Sequence, residues 1–234
     1  LTAVDSVIVV IDVAKGVEEQ TEKLVEVCRM RKIPMIVFIN KLDREGKDAF
    51  DLLDEVEQKL GLQVTPLSLP IGMGYDFKGI YNIWERNIQL FLEEQKQTVG
   101  KKTKFTDLND PQLATTLGIK ALATLREELE LIDGVYPPFD RKSYLSGNLQ
   151  PVLFGSALNN FGVEELLNCF IEIAPEPLAK TSEERLIDPK EKQFSGFVFK
   201  IHANMDPNHR DRLAFVKVVS GTFERNMPYL HVRL

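Results

Sequence analysis

The chain has 234 residues, 44% of them hydrophobic and 27% charged, so it holds enough apolar material for one large folded unit or one and a half. A formal net charge of -6 argues against a protein that coats nucleic acid, although the runs Lys101-Lys102-Thr103-Lys104 and His209-Arg210-Asp211-Arg212 are local candidates for basic contacts. Two cysteines and three scattered histidines offer no metal-ligand spacing, and no apolar stretch reaches the roughly 18 residues of a membrane helix. These features exclude a disulfide scaffold and a helical membrane protein, and they set the expectation of a cytoplasmic protein with core thiols at Cys28 and Cys169.

In chain order, residues 7–12 are a β-branched apolar run ending at Asp12, which reads as a strand end. Residues 21–32 place Leu24, Val25, Cys28 and Met30 on a helical stripe, and residues 35–39 form a second buried strand. Residues 48–60 repeat the helix, with Phe50, Leu53, Val56 and Leu60 on one face, and Gly61 stops it before an extended segment at 65–69. This is the βαβ rhythm of a doubly wound, mostly parallel α/β sheet. From about 70 to 149 the pattern loosens into an insertion, with a turn and short strand near 71–81 and helices at 110–117 and 119–132, the first opened by Asp110-Pro111. Residues 152–155 form the last strand and 163–173 its covering helix. Pro175-Glu176-Pro177 closes a first domain at 1–178, and 179–193 reads as a charged linker. Strand-like segments at 194–201, 213–220 and 229–232 then suggest the opening of an all-β barrel over 194–234.

Asn40-Lys41-Leu42-Asp43 follows the strand at 35–39, and Ser156-Ala157-Leu158 follows the strand at 152–155. Both fall where ligands bind in open α/β sheets, beyond the carboxyl ends of the strands. A carboxylate there can accept from the N1–H and the exocyclic amine of guanine, a pair of donors that adenine lacks. Asp43 is the candidate for that fork. Asn40 ties the loop and meets the other edge of the base, Lys41 lays its methylene stem along the ring, and the Ala157 N–H donates to the guanine carbonyl. The competing reading makes Asp43 a helix cap or turn acid and Ser156 an N-cap. No G-x-x-x-x-G-K-[ST] occurs, so the residues that cradle phosphates are not among these 234.

Leu1-Thr2-Ala3-Val4-Asp5 leading into Val9-Val10-Ile11-Asp12, then Ala14-Lys15-Gly16-Val17-Glu18 and Phe38 to Arg44, resembles the second half of a translational GTPase G domain. Phe197-Val198-Phe199-Lys200-Ile201, Ala203-Asn204-Met205-Asp206-Pro207 and His209-Arg210-Asp211-Arg212 are similar to the bacterial peptide chain release factor three family. Elongation factor G is a near relative that shares Pro70-Ile71-Gly72 and Phe77-Lys78-Gly79. The resemblance implies a P-loop GTPase domain whose N-terminal part is missing here, followed by the start of a translation-factor barrel. It implies GTP or GDP as ligand, read by Asn40, Lys41, Asp43, Ser156, Ala157 and Leu158, with Mg2+ held by residues upstream of Leu1. It implies the ribosome and, through it, class I release factors as partners, with neither membrane nor independent DNA binding. On this reading the chain is a fragment that hydrolyses no GTP alone, while the complete protein promotes recycling of class I release factors. An elongation factor G-like translocation or ribosome-protection GTPase, a non-catalytic ribosome-binding protein and a nucleic-acid-binding barrel are the alternatives.

Overall fold

The computed structural model describes residues 2–90, 103–203 and 212–232. Leu1, Asn204 to Asp211 and Lys101-Lys102, to which part of the resemblance and both basic runs belong, lie outside the described residues, as does Leu234. The chain divides into two compact units, residues 6–174 and residues 1–5 with 175–234.

The larger unit opens with β1 (Val7–Asp12), α1 (Glu19–Met30), β2 (Met35–Asn40), α2 (Ala49–Leu60) and β3 (Gln63–Pro66). Asp48 caps α2 by accepting from the Phe50 N–H at 2.9 Å, and Gly61 ends it in the left-handed region. The expected extended segment at 65–69 is not one strand. The chain passes from one sheet to another at Leu67, and β4 (Ser68–Ile71) starts a second sheet. Leu67 makes the joint, donating its N–H to Val152 O at 2.8 Å and accepting from Ile83 and Trp84.

That second sheet runs β4, β5 (Gly79–Asn82), β6 (Asn87–Leu90) and β7 (Thr103–Phe105), all antiparallel. The loose sequence pattern predicts one short strand here; four short ones form, hidden from the pattern because each is only three or four residues long and carries no sustained alternation. Helices α3 (Pro111–Leu117), α4 (Ile119–Val135) and α5 (Arg141–Leu145) follow, then β8 (Leu149–Phe154) and α6 (Val163–Ile173).

The parallel sheet has the order β1-β2-β8-β3. Its strands sort alternate residues to two faces. Met35, Val37, Ile39, Val152 and Phe154 enter a large core with Val25 and Cys28 of α1 and Leu52, Leu53, Val56 and Leu60 of α2. Ile36, Phe38 and Leu153 point the other way, onto Leu166, Cys169 and Ile173 of α6 and Tyr144 of α5. Each such burial contributes about 1.5–3 kcal/mol relative to exposure, and together they fix the sheet that carries the loops described below. Helices on both faces of a parallel sheet confirm the α/β fold class, and antiparallel strands follow it.

In the smaller unit, 179–193 is not a featureless linker. It holds a two-stranded ladder, β9 (Lys180–Thr181) with β10 (Leu186–Ile187), and Arg185 grips Glu191 through two contacts of 2.6 and 2.7 Å. β11 (Ser195–Ala203) and β12 (Arg212–Ser220) pair antiparallel with a register shift between Val198 and Lys200. The strand expected at 229–232 does not form. The Tyr229 ring stacks on Phe223 with centroids 4.7 Å apart and its hydroxyl donates to Glu224 O at 3.1 Å, local contacts that turn the backbone out of extended pairing.

Candidate functional site

Register brings the site together. Asp12 lies opposite Asn40 in the β1–β2 pairing, and Ile39 lies opposite Phe154 in the β2–β8 pairing. The carboxyl ends of three parallel strands are therefore level, and the loops beginning at Val13, Lys41 and Gly155 leave the sheet along one edge. Backbone bonds continue the ladder past the strand ends: Val13 N–H to Asn40 O at 3.0 Å, Gly155 N–H to Ile39 O at 2.9 Å and Leu42 N–H to Gly155 O at 3.2 Å.

Glycine is required at position 155, because a Cβ there would collide with Phe161 O and the Phe38 ring. The chain then closes a tight turn in which Ser156 and Phe161 exchange backbone bonds of 2.8 and 2.9 Å, with a single 3-10 turn at Ala157–Asn159 between them. This turn leaves Leu158 81% exposed and buries Ser156 completely.

Asn40 links the two loops. Its Oδ1 accepts from the Lys41 N–H at 2.8 Å and from the Ala157 N–H at 2.9 Å. Two donors converging on one atom identify that atom as oxygen, so Nδ2 faces away from both. The Ser156 hydroxyl donates to Asp43 Oδ1 at 2.5 Å and accepts from Asn159 Nδ2 at 3.1 Å. Among the described residues, neither Asn40 Nδ2 nor Asp43 Oδ2 has a protein partner. An amide donor and a carboxylate acceptor thus remain open at the loop edge. The Ala157 N–H, expected to face the guanine carbonyl, is engaged by Asn40 Oδ1, and a base bound here would share that donor.

Of the six residues singled out in the sequence, Asn40 ends β2 and the other five lie on these two loops. Three others were not singled out, and they brace the site. Asp12 accepts from the Ala14 N–H at 2.9 Å and reaches Lys41 Nζ at 2.5 Å; the hydrogen bond from Lys41 holds its carboxyl below the usual range. Glu55 of α2, only 11% exposed, meets Lys47 and Lys59 at 2.6 Å each and accepts from the Val17 N–H. Lys47 also donates to Lys15 O at 3.2 Å. The one available sequence signal was that Asp12 and Asn40 both terminate apolar runs; Glu55 and Lys47 carried none, since each reads as a solvated helix or loop charge. A further loop touches the site's outer side, where Gly74 N–H donates to Leu42 O at 3.1 Å.

The two cysteines, Cys28 and Cys169, are buried in the two cores as unpaired thiols, and burial pushes Cys169 up to about 12. Among the described residues no group of three or more His, Cys, Asp or Glu side chains could hold a metal ion, and no helix is long and apolar enough to cross a membrane.

Comparison with known families agrees with this geometry. Residues 1–176 match the elongation factor Tu GTP binding domain, and residues 193–233 match elongation factor G domain 2. A parallel sheet with a polar loop cluster at its carboxyl edge, joined to antiparallel strands in the same order as those two domains, is the arrangement of a GTP-binding translation factor. The chain belongs to the translational GTPases of the elongation factor Tu GTP binding domain family.

Proposed function

We propose that this chain is the guanine-reading part of a ribosome-dependent GTPase of the release factor three type, which in its complete form promotes recycling of class I release factors after peptide release. The observation that supports the base-reading role is that Asn40, Lys41, Asp43, Ser156, Ala157 and Leu158 lie at the end of β2 and on the loops after β2 and β8, which are tied by the Asn40 amide oxygen, by Ser156 to Asp43 and by Leu42 N–H to Gly155 O. Asp43 accepts from the N1–H and the amine of guanine through a carboxylate already oriented by Ser156. Asn40 Nδ2 donates to the opposite edge, and the Lys41 stem covers one ring face. The sequence stretches Phe197 to Ile201, Ala203 to Pro207 and His209 to Arg212 support the release factor type. A second reading, an elongation factor G-like factor, is favoured by the domain 2 match at residues 193–233.

On the same reading the nucleotide-binding domain spans 1–178 with the insertion at about 70–149, and the barrel begins at 194. Phosphoryl transfer consists mostly of cradling phosphates, holding Mg2+ and orienting water. No phosphate-loop motif occurs in these 234 residues, so we assign them base recognition and no hydrolytic step. Base contacts of about 1.5–3 kcal/mol each scarcely offset an association cost of at least about 4 kcal/mol, and guanine nucleotide binding by these residues alone is millimolar or absent.

Asp43→Asn in the complete gene product tests the reading. The substitution presents a donor where the base presents donors, whereas xanthine carries a carbonyl at that position. GTP affinity falls by about 10^2-fold or more and preference shifts toward XTP. Unchanged GTP affinity with no gain for XTP would show that Asp43 only caps the loop. Class I release factor dissociation from ribosomes, driven by the complete gene product and GTP, separates the release factor type from a translocation factor, which leaves those factors bound.

A further inference from the structure

Asp12 ends β1 directly opposite Asn40, the first residue of the proposed base-reading segment. A strand-end aspartate that merely caps its own turn needs one oxygen. Here Oδ1 does that work, accepting from the Ala14 and Lys15 N–H groups at 2.9 and 3.4 Å. The second oxygen faces the neighbouring loop and meets Lys41 Nζ at 2.5 Å, with the Asp12 side chain 16% exposed. We propose that Asp12 is a positioning residue of the base-reading site, fixing the Lys41 side chain so that its stem lies where the guanine ring binds. This inference rests on the base-reading role of the Asn40 to Asp43 loop.

Two features make Asp12 a rigid anchor. Its turn is closed by Gly16 N–H to Asp12 O at 2.8 Å, and Gly16, at φ +73°, has no room for a Cβ against Glu55 and Lys47. Lys47 and Glu55 then hold Lys15 O and the Val17 N–H, so the turn is braced from α2 and from the loop after β2 together. On the other side, Lys41 has a backbone in the left-handed region, at φ +73°. A lysine side chain with four rotatable bonds samples many orientations in water. Tying its ammonium to a fixed carboxylate selects among them before the base arrives, which lowers the ordering cost of binding. The contribution to nucleotide binding therefore passes through Lys41 and not through the turn.

The test measures binding of a fluorescent GDP analogue to the complete gene product in four forms: unchanged, Asp12→Asn, Lys41→Ala and the double variant. Asparagine retains the acceptor for the turn but not the charge for Lys41. Asp12→Asn weakens binding by about five- to tenfold, the range for a charge-assisted hydrogen bond partly open to water. The loss lies mainly in a faster dissociation rate. In the Lys41→Ala background the same change has no further effect, a coupling that a purely structural role would not produce. Equal losses in both backgrounds, or no loss at all, overturn the inference. If Asp12→Asn does not fold, Asp12→Ser keeps a hydroxyl acceptor for the turn and gives the same comparison. Asp43→Asn measured alongside separates the two levels: a shift toward xanthine nucleotides with no effect of Asp12→Asn sinks this inference alone, and no shift at Asp43 sinks the base-reading role and this inference with it.

Discussion

Replacing Asn40 with alanine removes one of three links, among the described residues, between the loop after β2 and the loop after β8, beside Leu42 N–H to Gly155 O and the Ser156 hydroxyl to Asp43. Asn40 Oδ1 accepts from two backbone N–H groups, at 2.8 and 2.9 Å. A neutral hydrogen bond contributes about 1 kcal/mol net, and both freed donors lie near the surface where water can satisfy them. The expected loss is thus about 1–2 kcal/mol, or about 2–8 °C in melting temperature for a unit of this size. Asparagine to aspartate separates the structural from the recognition role. Aspartate keeps an oxygen for both N–H groups, so the loops stay joined, but it loses the amide donor proposed to meet the base. Asn40→Asp should melt within about 2 °C of the unchanged protein while losing guanine nucleotide affinity by about 10^2-fold. Asn40→Ala should lose both. Thermal unfolding and nucleotide titration on the two variants check this. An Asn40→Ala protein that melts unchanged, or an Asn40→Asp protein less stable than the alanine variant, would refute the claim that the Oδ1 acceptor holds the loops.

Burial, with the Asp48 and Glu127 carboxylates nearby, pushes Glu128 of α4 up to about 7. A carboxyl whose folded value lies above its unfolded value of about 4.5 keeps a proton that the unfolded chain has released; stability is fully present below that lower value and falls as pH rises to about 7. Glu128 is half-buried, which limits the effect to about 1–2 kcal/mol. Glu128→Gln should flatten the pH dependence of the melting temperature between pH 5 and 8 and raise it at pH 8, and an unchanged slope would exclude the group as its source. At the site, Gly155→Ala forces a Cβ into Phe161 O, a backbone atom that cannot move aside without opening the 156–161 turn. Overpacking of this kind costs about 1–3 kcal/mol, and it should weaken nucleotide binding as well; a variant with unchanged stability and affinity would show that the turn adapts.

Much of this was legible along the chain. The run at 35–39 is apolar without interruption because both faces of its strand are covered, the run at 7–12 is apolar as well although Val10 is exposed, and helix-period stripes separate them. The loop residues Asn40, Lys41, Asp43 and Ser156 to Leu158 stand out because polar side chains abruptly follow such runs. The second sheet was not legible, since strands of three and four residues are too short to show a period, and the break at Leu67 is made by bonds to Val152, Ile83 and Trp84 on distant segments. Residues 229–232 failed for the opposite reason: a β-favouring composition was overridden by aromatic contacts of Tyr229 with Phe194 and Phe223.

The role of Asp12 shows where the division lies. Local composition determines that a carboxylate ends the first strand, and equally that an asparagine ends the second. Only the tertiary structure decides that the two ends are level, because register is a property of paired strands and a one-residue slip would turn every side chain to the other face. Glu55 is the same case on a helix, where sequence specifies an acidic residue on α2 with Lys59 one turn on at i+4, and the packing of α2 decides that it also meets Lys47 and the Val17 N–H. Periodicity is written in neighbours along the chain, so elements and their polar ends can be read there; which polar ends meet depends on long-range pairing.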